Sequence, residues 1–145
     1  MAFHGTFEHS LDAKNRLTVP AKFRNDLSEG TFVVRGEDSS LRVYPFNDYT
    51  AIVEAAVAGM NPLSQKARET RRLFFAFADD VPLDGAGRIT LTARQLQHAG
   101  IDGREVVIAG TGDALELWSP EKWNSYEQDL MTRAPELTGS LDSSP

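Results

Sequence analysis

The amino-acid sequence predicts an α+β fold: a pseudo-twofold β-barrel built from two ββαββ halves with flanking helices. Three observations point to it. A thirteen-residue stretch occurs twice, as Asp12-Ala-Lys-Asn-Arg16-Leu-Thr-Val-Pro20-Ala-Lys-Phe-Arg24 and as Asp84-Gly-Ala-Gly-Arg88-Ile-Thr-Leu-Thr92-Ala-Arg-Gln-Leu96. The likeness continues downstream, where Val33-Val34 answers Val107-Ile108 and Leu41-Arg-Val-Tyr44 answers Leu115-Glu-Leu-Trp118. Each unit alone is too short to bury a core, so two halves must share one, and interleaving their strands gives a barrel. The first block repeats after 72 residues and the later blocks after 74, which puts a two-residue insertion in the Gly100-Ile-Asp-Gly103 region. This is a tandem duplication, not a short-period solenoid.

The elements follow in order. Gly5 to Leu11 carries the aromatic and Thr content of a strand. Asp12 to Asn15 is a polar turn, and Arg16 to Val19 alternates as a second strand. Pro20 suits a first helical turn, so Ala21 to Leu27 reads as a short helix, closed by Ser28-Glu-Gly30. Thr31 to Arg35 and Leu41 to Tyr44 are strands around the Gly36–Ser40 turn. Asp48 to Ala58, rich in Ala, reads as a helix. After the Gly59-Met-Asn61-Pro62 break, Leu63 to Phe77 reads as a helical connector with Pro62 in its first turn. The second unit repeats the order from Asp79 to Trp118. Ser119 is an N-cap with Pro120 at the first helical position, which starts a helix over Glu121 to Met131. From Ala134 onward the composition turns to Pro, Glu, Thr, Gly, Ser and Asp, read as a disordered tail. The organisation expected is a first repeat over 5–49, connector helices over 50–77, a second repeat over 78–122, a terminal helix over 123–133 and a tail over 134–145.

Composition bounds the function. A chain of 145 residues, 41% hydrophobic and 25% charged, lies in the globular range. It has no Cys, which excludes disulfides, thiolate metal sites and Cys nucleophiles and fits a reducing compartment. Met1-Ala-Phe-His-Gly-Thr leads straight into a strand pattern without a signal peptide, and no apolar run approaches the roughly 20 residues a membrane helix needs. The expectation is a cytoplasmic protein with no membrane partner. A net charge of −6 argues against indiscriminate coating of nucleic acid. Base is nevertheless concentrated: Lys14, Arg16, Lys22 and Arg24 lie near Asp12 alone, and Lys66, Arg68, Arg71 and Arg72 near Glu69 alone. Acid gathers at Glu121, Glu127, Asp129, Glu136 and Asp142. A local basic face on an acidic chain still binds phosphate, because the field at the site decides.

The repeated Asp-x-x-x-Arg is the leading candidate site. In a turn, Asp12 or Asp84 can accept backbone N–H bonds and hold the loop. It can also aim the guanidinium of Arg16 or Arg88, whose free edge offers paired donors to a phosphate or a guanine edge. A bridge that merely pins a hairpin is the better reading of one isolated pair. The basic cluster of Lys14, Lys22 and Arg24 turns the balance towards binding for the first copy. The second loop, Gly85-Ala-Gly87, lacks Lys and Asn, and reads as a weaker binder or a scaffold. Two Asp residues related by a pseudo-twofold axis also suggest an aspartic-protease dyad. That chemistry needs converging, unpaired carboxylates, and here an Arg follows each Asp while Asp-Thr/Ser-Gly is absent. His4, Glu8, His9 and His98 match no familiar metal-ligand spacing. Gly110-Thr-Gly112-Asp113 lies between strands and reads as a hairpin rather than a phosphate cradle. Phe74, Phe75, Phe77, Trp118, Trp123 and Tyr126 are read as core, with some available to a subunit interface. No catalytic residue, metal or cofactor is expected, and the chain is not read as an enzyme.

Two Asp-x-x-x-Arg loops on tandem ββαββ units resemble the SpoVT/AbrB-like, swapped-hairpin fold. The stretch Phe7-x-x-Ser10-Leu-Asp12-Ala-Lys-Asn-Arg16-Leu-Thr-Val-Pro20-Ala-Lys-Phe-Arg24 closely resembles the MraZ family of bacterial transcriptional regulators, and the similarity extends from Gly5 to about Tyr126. It departs from the family pattern at Asn15, which stands where Gly is common yet tolerates a left-handed turn, and at Thr92, which stands where Pro is common and is itself an N-cap. The resemblance implies a ring-like homo-oligomer that binds double-stranded DNA at direct repeats upstream of its own division and cell-wall operon, in the cytoplasm and at the nucleoid. The DNA-contacting residues it implies are Lys14 and Arg16 with Asp12 in support, and Asp84 and Arg88 as their counterparts. Asn15, Lys22 and Arg24 complete the expected contact set. The competing expectation is an antitoxin-like or assembly module whose barrel mainly binds protein.

Overall fold

A computed structural model describes residues 2–142 of the chain. Among the described residues eight strands and four α-helices make an α+β arrangement: β1 Thr6–Ser10, β2 Arg16–Thr18, β3 Thr31–Arg35, β4 Leu41–Pro45, α1 Phe46–Val57, α2 Gln65–Arg71, β5 Ala78–Val81, β6 Arg88–Thr90, α3 Ala93–Ala99, β7 Glu105–Gly110, β8 Leu115–Trp118 and α4 Pro120–Asp142. All pairings are antiparallel. Six strands form one sheet in the order β1-β7-β8-β4-β3-β5, and β2 pairs with β6 as a separate ribbon. Among the described residues the large sheet is open, with β1 and β5 at its edges, rather than the closed barrel expected. An isolated bridge from Leu11 to Leu17 links β1 to the ribbon.

The order reads the same from both ends once β1, β3 and β4 are exchanged for β5, β7 and β8. Each half therefore contributes its first strand to the other half's sheet: β1 pairs with β7, and β5 with β3. At the centre, β4 meets β8 with Leu41 opposite Leu117, Arg42 opposite Glu116 and Val43 opposite Leu115. The pseudo-axis passes beside the Arg42–Glu116 pair. Two identical halves would set like charges face to face there, which destabilises a cross-strand pair. Divergence to Arg and Glu removes that repulsion, and Arg42 Nε lies 3.8 Å from Glu116 Oε2.

Alternation along the strands sorts side chains to two faces. Val33, Leu41, Val43, Val106, Ile108, Leu115 and Leu117 point to one core, closed by Leu17, Val19, Ile89 and Leu91 of the ribbon and by Phe23, Leu27, Leu96 and Ala99. On the opposite face, Tyr44 packs on Tyr49 of α1 and Trp118 on Trp123 of α4, with ring centroids 4.9 and 5.5 Å apart. The helices after each repeat are thus equivalent in packing as well as position.

Three elements differ from expectation. The helix over Ala21 to Leu27 is a single 3-10 turn, Ala21–Phe23, followed by turns. Its counterpart α3 is a full helix, with a capping box at Thr92 and a left-handed Gly100 at its end; the second repeat has two more residues in which to complete it. The connector is α2, capped by Ser64 rather than opened by Pro62, and continues as a π-helical turn over Arg72–Ala76. The tail expected to be disordered is helical to Asp142 with Pro135 inside α4, while residues 143–145 lie outside the described set. Pro135 gives no N–H to the Met131 carbonyl, but Ala134, Glu136 and Leu137 favour helix. The Thr132 and Thr138 hydroxyls donate back to the Gln128 and Ala134 carbonyls at 2.9 and 3.0 Å.

Candidate nucleic-acid interface

The two Asp-x-x-x-Arg loops share one construction. Asp12 Oδ1 accepts from the Lys14 and Arg16 backbone N–H groups, both at 2.9 Å. Its Oδ2 accepts from Arg16 Nε at 2.6 Å. Asp84 repeats the pattern with the Ala86 and Arg88 N–H groups at 2.9 Å and Arg88 Nε at 2.8 Å. Each turn closes through a residue of positive φ, Asn15 at 58° and Gly87 at 76°. Asn tolerates that region and Gly occupies it freely, which explains the pair of residue types.

The ribbon sets the loops on one surface. In its register Arg16 faces Thr90, Leu17 faces Ile89 and Thr18 faces Arg88. Leu17 and Ile89 are buried, so Arg16, Thr18, Arg88 and Thr90 share the outer face. One further bond ties each loop to the residue just past the opposite strand: Leu91 N–H donates to the Asn15 carbonyl and Val19 N–H to the Gly87 carbonyl, both at 2.9 Å. Arg88 Nη1 also lies 3.8 Å from Asp12 Oδ2, so the first carboxylate serves both guanidinium groups. Thr18 and Thr90 were not singled out from the sequence, although the alternation in Arg-Leu-Thr and Arg-Ile-Thr places them on the Arg face.

Electrostatics fix the ionisation of the loops. The Arg16 backbone N–H, with the Arg16 guanidinium and the Lys14 N–H, holds the Asp12 carboxyl down to about 2 from an ordinary 3.8 against the opposing effect of burial. The Arg88 backbone N–H lowers Asp84 in the same way. A lowered folded-state value means the carboxylate stabilises the loop above the unfolded value and stops doing so as pH falls through the folded one. The Asp12 loop should therefore be unchanged from neutral pH down to about 4 and open between about 4 and 2. Carboxyl carbon shifts of Asp12 followed by NMR check this; a midpoint near the ordinary Asp value would exclude the bonded geometry.

The other expected contact residues are placed differently. Lys14 is exposed, and among the described residues nothing engages its ammonium group. Lys22 stands away from that loop, with Nζ 4.7 Å from the Phe7 ring centroid and 5.1 Å from that of Phe23. Arg24 lies against the second loop, not the first. Its Nε donates to the Val19 carbonyl at 3.0 Å, and a Cβ on Gly87 would come within 2.5 Å of that nitrogen. The reason is the Val19–Gly87 bond: past Val19 the chain runs beside loop two. The equivalent of Arg24 in the second repeat is Leu96, which is buried, so no guanidinium crosses Asn15. Gly87→Ala adds a left-handed penalty of about 1–2 kcal/mol to a collision with Arg24. Urea unfolding should show the loss, and Arg24→Ala in the same chain should restore part of it; strict additivity would exclude the contact.

In the basic run at 66–72, Arg68 and Arg71 are engaged within the fold. Arg71 pairs with Glu54 at 3.0 Å, and Arg68 Nη1 donates to the Leu63 carbonyl at 2.8 Å. His4, Glu8, His9 and His98 do not converge: no group of three potential metal ligands occurs among the described residues. The His98 Nε2 sits 2.9 Å from the Gly36 carbonyl. No helix among the described residues is long and apolar enough to cross a membrane.

Fold and site together define a class: a duplicated α+β protein whose halves exchange strands and present twin Asp–Arg loops on one ribbon. Comparison with known proteins agrees with that duplication. The family model described as "MraZ protein, putative antitoxin-like" matches twice, over residues 2–73 and 74–138. Proteins named Transcriptional regulator MraZ are similar along most of the chain. That of Corynebacterium kroppenstedtii is 42% identical over 129 residues, 88% of this chain and 87% of the relative. That of Corynebacterium glutamicum strain R is 43% identical over the same shares. That of Nocardia farcinica is 40% identical over 143 residues, covering 96% and 99%. The chain belongs to the MraZ family.

Proposed function

We propose that this chain is a sequence-specific DNA-binding transcriptional regulator that represses its own division and cell-wall operon by binding repeated promoter boxes through its Asp-x-x-x-Arg loops. The observation that carries the reading is the aim of Arg16. Asp12 takes its Nε, which leaves the two Nη groups as a paired donor edge. Such an edge matches guanine O6 and N7 or two phosphate oxygens. Lys14 and Asn15 flank it on the loop, Thr18 and Thr90 add hydroxyl donors on the same face, and Arg88 offers a second guanidinium diagonally across the ribbon. Arg24 supports the second loop and Lys22 extends the basic surface. The relatives' name, Transcriptional regulator, supports the regulatory reading.

The same reading includes the larger architecture. Closing the open sheet and the ribbon, through the Leu11–Leu17 bridge, gives the pseudo-twofold swapped-hairpin barrel. The two repeats, the connector helices and the terminal helix are its parts. Several chains form a ring-like homo-oligomer on cytoplasmic, nucleoid-associated DNA, and no membrane or cofactor takes part. Avidity among several loops offsets a net charge of −6.

A DNA-shift assay on the region upstream of the chain's own operon tests the proposal. Affinity should fall about tenfold or more between low and moderate salt, because each loop displaces counterions from phosphates. A flat salt response, or no shift, supports the second reading, an antitoxin-like or assembly module that binds protein. The half-exposed Leu73 and Phe77, which line an apolar groove, are the feature that favours it.

A further inference from the structure

The duplication supplies a template for a second site. Trp118 and Trp123 of the second half answer Tyr44 and Tyr49 of the first, 74 residues earlier. Tyr126 completes the second set: its ring stacks on Trp118 with centroids 5.1 Å apart and planes 16° from parallel. Its counterpart on α1 is Ile52, which has no ring. Where the second half places a third ring, the first half keeps a cavity of about 340 Å³ whose lining includes Tyr44, Tyr49, Ile52 and Phe74. That volume lies within the roughly 300–1,000 Å³ of small-molecule sites, which are likewise mostly apolar with a few polar groups. Phe74 comes from the π-helical turn Arg72–Ala76, a geometry frequent at functional sites. Tyr49 donates its hydroxyl to the Phe74 carbonyl and so ties that turn to α1. Tyr44 points away from the face that packs on the Arg16 ribbon, so the cavity does not share the proposed DNA surface.

The polar lining fixes the chemistry of the occupant. Arg42 gives Nη2 to the Thr111 hydroxyl at 3.2 Å and holds it 3.5 Å from Asp113 Oδ1. Its Nε is buried and has no hydrogen-bond partner among the described residues. Glu116 accepts from Trp118 Nε1 through Oε1 at 3.2 Å, while its Oε2 lies 3.8 Å from Arg42 Nε, beyond hydrogen-bond length. A guanidinium and a carboxylate thus line one cavity, each with bonding capacity to spare. A ligand edge that sets an acceptor beside a donor satisfies both. Charge disfavours an anion, because Glu37, Asp38, Asp113 and Glu116 outnumber Arg35 and Arg42 in the lining. The aromatic walls ask for a planar ring, as bases find on Tyr and Phe elsewhere. Purines meet all three conditions: guanine sets O6 beside N1–H, and adenine sets N1 beside its amino group. We propose that this cavity binds a neutral purine, as base or nucleoside. Its ring lies against Tyr44 as Tyr126 lies on Trp118, Arg42 donates to its acceptor, and Glu116 accepts from the adjacent N–H.

Isothermal titration calorimetry on the full chain tests it with guanosine, adenosine, guanosine monophosphate and indole. At least one of the two nucleosides should bind. The monophosphate should bind about tenfold or more weakly than guanosine, because its charge meets the surrounding carboxylates. Indole stacks but offers no acceptor to Arg42, so it too should bind about tenfold or more weakly. Ile52→Tyr rebuilds in the first half the ring that the second half carries at Tyr126; it should fill the cavity and abolish nucleoside binding, with circular dichroism confirming the fold. Glu116→Gln is the second variant, close in shape to the native side chain. It should weaken nucleoside binding about tenfold and leave indole binding unchanged, a split that a merely structural role for Glu116 would not produce. Wild-type protein that binds neither nucleoside at millimolar concentration would overturn the site. So would a folded Ile52→Tyr protein that binds as wild type does, or Glu116→Gln without effect on the nucleosides. Indole or the monophosphate binding as tightly as guanosine would overturn the purine as its ligand.

Discussion

Arg16→Ala should abolish specific DNA binding while the fold and the oligomer survive. The side chain contributes little to the core: it lies on the outer face of the ribbon, and the inward residue is Leu17. The loop keeps its closure without the guanidinium, because Asp12 Oδ1 still accepts the backbone N–H groups of residues 14 and 16. What disappears is the paired Nη edge. One good bidentate base contact is worth about 1–3 kcal/mol, lost in every protomer engaged at once. Arg16→Lys separates charge from geometry: lysine keeps the charge without the fork, so it should retain salt-dependent, non-specific binding and lose discrimination between boxes. Arg88→Ala should cost less, since Arg88 shares Asp12 at 3.8 Å and its loop has no lysine. Electrophoretic shifts with cognate and scrambled boxes measure all three. A folded Arg16→Ala protein that binds the cognate box as wild type does would remove the loop from the interface.

What the sequence made legible and what it hid divide along a physical line. Local chemistry was readable. The Asp-x-x-x-Arg turns, the Thr92 and Ser119 caps and the strands Thr31–Arg35 and Leu41–Pro45 depend on neighbours a few residues away, and they stand where their residues indicate. The duplication was readable for the same reason, as an internal likeness that needs no partner. Arg24 was misplaced because its destination depends on which loop the chain crosses after Val19, a consequence of ribbon register. The first-repeat helix failed for want of two residues, an effect visible only beside its longer twin. The helical end of α4 was hidden by Pro135, whose local penalty is real but is confined to one turn of a long helix. The outer-face threonines were hidden by their ordinariness; only the register joins Thr18 to Arg88.

A monomeric variant should bind one box as well as wild-type protein does and fail on the natural array. Its loops are intact, so the intrinsic contact is unchanged. Linked sites instead turn second and later contacts into intramolecular events, which raises overall affinity by about 10²–10⁴ without any new contact. Head-to-tail protomers carry their first-repeat loops in the same sense around a rim. The matching DNA then carries boxes in direct repeat, about 10 base pairs apart so that they share one face of the duplex. Wild-type protein should therefore gain steeply as boxes are added from one to three, and a monomeric variant should gain nothing. Moving one box by half a helical turn should cost the wild type much of that gain and leave the variant unaffected. Titrations by fluorescence anisotropy on one-box, three-box and half-turn-shifted duplexes measure it. Equal gains by both proteins would place cooperation in the DNA rather than in the ring, and footprints over a single inverted palindrome would point to a twofold dimer in its place.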